Sequence, residues 1–285
     1  MRRREFLAAA SAAALPAKEK YAPKLAVQCY VWTQWFDREK IKPAEGVERM
    51  FAGCREAGFE RIQLVSWLLT PELREKTLGL AQQYGFKVPL VYSNGKTVED
   101  LISLAEAVKP AGLERLIINP EPKPKRERKS DEELAAQARF VEQAREALQK
   151  IGIPLLLHHH DPEMQEGARE WWHLLKNTKA GLCIDTDWVW QGGQDALELL
   201  RAGGSRVGDI HLRNARGKVW TESLDEGDYD YPAVAKHLRA AGYNGYLTVE
   251  LAWRKETALT RTLPENLKRS RLWVEKVFGL KPSAS

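Results

Sequence analysis

Residues 241–250, Ala-Gly-Tyr-Asn-Gly-Tyr-Leu-Thr-Val-Glu, join the end of a helical pattern to a short apolar run of β-type residues. The first glycine marks the helix end, because glycine readily takes the left-handed conformation that closes a helix C-terminus. The same turn, Ala/Tyr/Ile-Gly-Phe/Ile, precedes three other apolar runs, at residues 57–59, 84–86 and 151–153. This quasi-repeat predicts one face of an α/β barrel, where each helix returns to the next strand.

Eight apolar runs alternate with amphipathic helical patterns between residues 24 and 280. The predicted strands are 25–30, 61–66, 87–92, 115–119, 154–158, 180–185, 207–212 and 245–250. The predicted helices are 47–57, 71–84, 98–108, 131–150, 165–175, 195–201, 231–241 and 264–278. Such an alternation is typical of βαβ units around a parallel sheet.

Two architectures fit this alternation, an open doubly wound sheet and a closed barrel. The open sheet usually carries a glycine-rich nucleotide loop after its first strand. Residues 30–35, Tyr-Val-Trp-Thr-Gln-Trp, contain no glycine at that place. We therefore predict a single (β/α)8 TIM barrel, an α/β fold, over residues 24–280. A chain of 285 residues accommodates it, although length alone also allows two ordinary domains.

The N-terminal residues 1–17 have the pattern of a twin-arginine signal. Residues 3–7, Arg-Arg-Glu-Phe-Leu, resemble the core R-R-x-F-L of such signals, and an alanine-rich run follows them. The run is too short for a permanent membrane anchor. We expect export by the Tat machinery, with a periplasmic or otherwise exported location. The alternative is a basic terminus without a targeting role.

Charge and cysteine content give no support for a nucleic-acid partner, a cysteine metal site or a disulfide framework. The net charge is +5, to which three arginines at positions 2–4 contribute, so charge alone does not predict nucleic-acid binding. Cys29, Cys54 and Cys183 form neither a metal-type spacing nor a disulfide framework. Residues 120–129 carry three prolines and five basic residues, which favours a solvated loop. The alternative is a rim element that attracts an anionic substrate.

Four successive predicted strands end in side chains of types that bind metals. These ends lie at the C-terminal face of a barrel, where TIM-barrel enzymes have their active sites. The four residues are His158, Asp185, His211 and Glu250. Two imidazoles and two carboxylates suit one divalent ion, Mn, Co, Zn, Fe, Ni or Mg, with Mn or Co favoured. Each group alone has a structural alternative, a helix cap for Asp185 or an ion pair of Glu250 with Arg213 or Arg254. Four such groups together favour the ion, because a buried cluster without one is costly.

Tryptophans near strand ends indicate a sugar substrate. An indole face stacks on the C–H face of a pyranose, and its N–H group can meet a hydroxyl. We expect substrate contacts from Trp32, Trp67, Trp188, Trp220 and Glu121. We assign Glu250 or His160 as the catalytic base, and Arg213 and Glu163 to substrate hydroxyls.

Several motifs resemble one known family. Residues 184–189 with 192–195, and also 209–213, 227–231 and 242–250, are similar to elements of the xylose isomerase-like sugar isomerase/epimerase family. That family is related to inosose dehydratases and ketose epimerases. The resemblance implies a TIM barrel whose strands 5 to 8 each supply one metal ligand, here His158, Asp185, His211 and Glu250. It also implies proton abstraction next to a carbonyl, through a metal-stabilised enediolate.

Two departures from the family pattern shape the expected activity. His158 stands where many relatives have a glutamate, which argues against a symmetrical two-base epimerase, and the His158-His159-His160 run resembles inosose dehydratases. Trp188 stands where many have a histidine. We expect an isomerase or epimerase, or a lyase or dehydratase, acting on a sugar, keto-sugar or keto-glycoside. The alternatives are a non-catalytic exported carbohydrate-binding barrel and a metal-dependent phosphodiesterase resembling AP endonucleases.

Overall fold

Eight parallel strands close into a barrel in the computed structural model, which describes residues 20–119, 121, 123 and 127–281. Each barrel strand pairs with its neighbours in chain order, and the last pairs with the first. The barrel strands are β1 Lys24–Gln28, β2 Arg61–Val65, β3 Lys87–Ser93, β4 Arg115–Ile118, β5 Leu155–Leu157, β6 Gly181–Asp185, β7 Val207–Leu212 and β10 Tyr246–Val249. The predicted closed barrel is confirmed.

The helices surround the barrel and connect its strands. They are α1 Tyr30–Glu39, α2 Pro43–Glu56, α3 Pro71–Gln83, α4 Val98–Val108, α5 Asp131–Lys150, α6 Asp161–Asn177, α7 Thr186–Gln191, α8 Ala196–Gly203, α9 Tyr231–Ala241 and α10 Leu263–Phe278. The predicted turn glycines all have positive φ, +85° at Gly58, +70° at Gly85, +75° at Gly152 and +72° at Gly242. These left-handed residues end four helices on the face opposite the strand C-termini.

Three features at the C-terminal face differ from the predicted pattern. Helices α1 and α7 begin directly after β1 and β6, where no helix was predicted. Helix α6 begins earlier than predicted, at Asp161, and residues 165–168 inside it have non-helical backbone angles. A small antiparallel hairpin, β8 Ala215–Arg216 and β9 Val219–Trp220, follows β7. These elements determine which side chains face the barrel mouth.

The predicted signal, residues 1–17, lies outside the described residues. Within the described part of the chain, no helix combines the length and apolarity that a membrane crossing requires.

Candidate metal centre and substrate cavity

The four predicted metal ligands meet at the C-terminal mouth of the barrel. One atom from each of His158, Asp185, His211 and Glu250 lies within 4.8 Å of the corresponding atoms of the other three. His158 Nε2 is 3.7 Å from Asp185 Oδ2, and His211 Nδ1 is 2.5 Å from Glu250 Oε2. All four side chains are buried. Barrel closure thus brings together groups that are far apart along the chain.

Apart from contacts within the cluster itself, the facing atoms of these four side chains have no hydrogen-bond partners among the described residues. They are His158 Nε2, Asp185 Oδ2, His211 Nδ1 and Glu250 Oε2, and the last two lie 2.5 Å apart. Buried polar atoms are normally paired, so several converging unpaired atoms require an explanation. Two imidazoles and two carboxylates are a suitable ligand set for a divalent transition metal. The residues present therefore fit such an ion.

In both Asp185 and Glu250, one carboxylate oxygen makes a structural contact and the other faces the cluster. Asp185 Oδ1 accepts a hydrogen bond from the Trp188 backbone N–H at 3.1 Å and caps α7, while Oδ2 faces the cluster. Arg213 donates to Glu250 Oε1, while Oε2 faces His211. The helix cap and the ion pair are both present, and each leaves one oxygen for a metal.

Two polar side chains that the sequence analysis missed orient the histidines. Asn119 Oδ1 lies 3.2 Å from His158 Nδ1, so that Nε2 faces the cluster. Asp209 Oδ2 lies 3.2 Å from His211 Nε2, and Asp209 also accepts hydrogen bonds from Gln63 and Thr248 inside the barrel. Strand alternation contained the signal for Asp209, because residues two apart on β7 share one face. Such partners fix ligand orientation in metal sites.

Burial and charge set the protonation states. Burial, with His211 and His160 nearby, lowers the pKa of His158 well below its usual value. Burial raises the pKa of Asp185 to about 7. Burial would also raise the pKa of Glu250, but Arg213 and His211 lower it to about 2. His158 is thus a neutral imidazole and Glu250 an ionised carboxylate, both suited to binding a cation. Burial would lower the pKa of His211, but Cys183, Glu250 and Asp209 raise it well above its usual value.

A cavity of about 280 Å³ lies over the cluster, and we call it the central cavity. Its lining includes the predicted Trp67, Trp188, Trp220, His160 and Arg213, and also Tyr30, Tyr92 and Asn94. Both Arg213 and Arg254 place their guanidinium carbons over the Trp220 ring, 4.5 and 4.4 Å from its centroid. The indole N–H of Trp220 donates to Asp187 at 2.8 Å. The Trp220 ring therefore already contacts two guanidinium groups and a carboxylate, whereas Trp67 and Trp188 are partly exposed.

Trp32 and Glu163, both predicted site residues, do not line the central cavity. Trp32 is only 2% exposed and packs on α2, where its ring lies 2.5 Å from the position that a Cβ on Gly53 would take. The reason is that α1 follows β1 directly, so Trp32 turns outward. Glu163 is fully buried, and its carboxylate accepts a hydrogen bond from the His160 backbone N–H at 2.6 Å. Glu163 positions His160 and does not face the substrate space.

Glu121, also predicted to contact substrate, lies outside the central cavity. It is exposed and pairs with Lys96 at 2.5 Å. Both residues line a neighbouring cavity of about 600 Å³.

Comparisons with known proteins agree with this architecture. A family model described as xylose isomerase-like TIM barrel matches residues 51–277. The rhizopine catabolism protein MocC of Rhizobium meliloti is 26% identical over 150 residues, 46% of this chain and 46% of that protein. An inosose dehydratase of Clostridium perfringens is 27% identical over 146 residues, 44% of this chain and 48% of that protein. The matched region therefore spans less than half the length of either relative.

A solved structure shares the fold over most of the chain. The structure of an L-ribulose 3-epimerase superposes with a TM-score of 0.72 at 17% identity, covering 90% of this chain and 95% of that one. At this identity the likeness concerns the fold.

Proposed function

The chain belongs to the xylose isomerase-like TIM barrel family, and we propose that it is a divalent-metal-dependent enzyme that removes a proton next to the carbonyl of a sugar or keto-sugar. One observation carries the proposal. Four buried side chains bring their ligand atoms within 4.8 Å of one another, without hydrogen-bond partners outside the cluster, beside a cavity lined by aromatic and cationic side chains.

His158, Asp185, His211 and Glu250 hold the ion in this proposal. A bound divalent ion would act as a Lewis acid, favouring loss of the neighbouring proton by polarising a carbonyl. Arg213 keeps Glu250 ionised and oriented through its bonds to the carboxylate and to the Glu250 backbone carbonyl. The Nη1 atom of Arg213 has no hydrogen-bond partner within the described residues, and we assign it to a substrate oxygen.

His160 is the group that we assign to proton transfer. Its ring lies edge-to-face with Trp188, 5.5 Å between centroids, and lines the central cavity. Glu250 is the weaker candidate, because its carboxylate binds Arg213 and its pKa is lowered to about 2. A base works best when its pKa lies near the working pH, so a strongly acidic carboxyl suits metal binding better than proton abstraction.

The relatives support the substrate class. They include an inosose dehydratase, and the fold is shared with an L-ribulose 3-epimerase. After proton removal, reprotonation gives isomerisation or epimerisation, and loss of a group from the next carbon gives a dehydratase or lyase. A symmetrical two-base epimerase would need a carboxylate at the end of β5 as its second base. His158 occupies that position here, which argues against such an epimerase.

Proton NMR in deuterated water tests this function. Protein loaded with Mn or Co and incubated with a panel of keto-sugars should exchange one carbon-bound proton, or eliminate a hydroxyl, and exhaustive chelation should stop both processes. Sugar binding without exchange or elimination would instead identify a non-catalytic binding barrel. Full activity after complete metal removal would rule out the mechanism.

A further inference from the structure

A second cavity, which we call the outer cavity, adjoins the central cavity at the C-terminal mouth. Its volume is about 600 Å³, against about 280 Å³ for the central cavity. Tyr92, Asn94 and His160 line both, so the two spaces meet at the proposed proton-transfer residue. Ligand sites usually span roughly 300–1,000 Å³. The central cavity alone is thus at the small end, and the pair suits a larger substrate.

One wall of the outer cavity is a face of α5. Glu133, Gln137, Phe140 and Val141 all line it, at the spacing of residues that share a helix face. The loop after β3 also lines the cavity, and its Asn94 and Gly95 backbone N–H groups donate to the side-chain oxygens of Ser66 and Ser93. The cavity therefore has an apolar patch around Phe140 and a wall held by hydrogen bonds.

The lysines that line the outer cavity are each paired with a carboxylate. Lys96 pairs with Glu121 at 2.5 Å, and Lys123 pairs with Glu133 at 2.9 Å. Lys129, which is buried, forms an ion pair with Glu170. A phosphate or carboxylate ligand would have to displace one of these partners. An uncharged group with hydroxyls would instead use the paired groups as hydrogen-bond donors and acceptors.

We infer that the outer cavity binds an uncharged second sugar ring, joined by a glycosidic bond to the ring that reacts in the central cavity. Phe140 and Tyr92 offer ring surfaces to its C–H groups, and the ion pairs at the rim offer partners to its hydroxyls. This inference rests on the proposed function and narrows its substrate to a keto-glycoside. The glycosidic bond masks the anomeric carbon, so the carbonyl must lie on another carbon of the reacting ring.

Three probes test the occupant of the outer cavity. They are methyl 3-ketoglucoside, phenyl 3-ketoglucoside, and cellobiose oxidised at carbon 3 of its non-reducing ring. We expect the kcat/KM for the disaccharide to exceed that for the methyl compound by about 3- to 10-fold, the range for one aromatic contact. Phe140→Ala should remove this advantage and leave turnover of the methyl compound unchanged. Trp172→Ala, on α6 and away from both cavities, should leave both rates unchanged and is the matched control.

A second variant keeps the test decisive if Phe140→Ala is unstable. Gln137→Trp, at a partly exposed position of α5, should fill the outer cavity and lower kcat/KM for the disaccharide alone. Turnover of the methyl compound without any disaccharide advantage would overturn the inference and leave the proposed function intact. A preference for the phenyl compound over the disaccharide would also overturn it. If none of the probes reacts, the proposed function fails for these probes. The occupant is then decided by calorimetry: tighter binding of the disaccharide than of the methyl compound to wild type, and loss of that difference in Gln137→Trp, would support the inference.

Discussion

The side-chain oxygen of Asn119 lies 3.2 Å from His158 Nδ1, and the other nitrogen of that ring, Nε2, faces Asp185 Oδ2 at 3.7 Å. Asn119 follows β4 and His158 follows β5, so neighbouring strands fix the direction of a proposed metal ligand. The contact selects the ring orientation that a metal bound at the cluster would need.

Removing this contact should weaken metal binding without removing a ligand. We expect Asn119→Ala to lower the affinity for Mn or Co about 10- to 100-fold, the usual effect of losing an orienting partner. Isothermal titration calorimetry with the metal measures this affinity. Asn94→Ala, which removes another amide from the cavity wall, should keep wild-type affinity. Equal affinities in the two variants would show that Asn119 does not orient the ligand.

Loss of a ligand should have a larger effect. Asp185→Ala and His211→Ala each remove one of the four converging ligand atoms, so we expect both to be purified without metal and to be inactive. Asp187→Asn is the control, because Asp187 is equally buried but binds Trp220 and Tyr229. It should retain metal. Wild-type metal content in both alanine variants, by elemental analysis, would refute the ligand assignment.

Proton transfer should depend on His160 and metal binding on Glu250. We expect His160→Gln to keep a full equivalent of metal and to lower the deuterium exchange rate by about 10²- to 10⁴-fold. Glu250→Gln should bind metal more weakly, because it loses the charge that Arg213 holds in place. Exchange at the wild-type rate in His160→Gln would transfer the role of base to another group.

Much of the fold could be predicted from the sequence, for physical reasons. Buried strands are short and apolar, and the turns at Gly58, Gly85, Gly152 and Gly242 need a residue that tolerates positive φ. The direction of individual side chains after the strands was harder to predict. The aromatic-rich residues 30–36 gave no clear helical period, so the outward turn of Trp32 was missed.

The cluster could be predicted because its members end successive strands, but its supporting residues could not. Asn119 is an uncharged residue whose role depends on barrel closure. Asp209 has a recognisable position on β7, but the sequence does not show that its carboxylate lies 3.2 Å from His211 Nε2 and orients that ring. The burial of Glu163 could not be predicted either, because sequence proximity to His160 does not reveal whether a carboxylate faces solvent or the protein interior.

Export remains a prediction that rests on the sequence alone. Arg3 and Arg4 fit a twin-arginine signal. Changing both to lysine should leave full-length precursor in the cytoplasm, because that pathway requires the arginine pair. Fractionation with antibody detection measures the distribution, and changing Lys18 and Lys20 to arginine is the control. An unchanged exported yield for the double lysine variant would reject the prediction.

The buried carboxyl of Glu163 should make the stability of the protein depend on pH. Burial raises its pKa to about 8 in the folded protein, whereas in the unfolded chain the pKa is close to 4.5. Between these values the folded state holds a proton that the unfolded state has lost, so the free energy of unfolding falls as pH rises. Below about pH 4.5 both states are protonated, and the penalty disappears.

Glu163→Gln should remove this dependence. The amide oxygen can still accept the His160 N–H, and no charge has to be buried at high pH. We therefore expect the variant, in metal-free form, to gain stability relative to wild type as pH rises from 5 to 8, by up to about 1.4 kcal/mol per pKa unit. Urea unfolding at several pH values measures this, with Glu166→Gln, an exposed position in the same segment, as the control. A constant difference between Glu163→Gln and wild type across this range would mean that Glu163 is ionised in the folded protein.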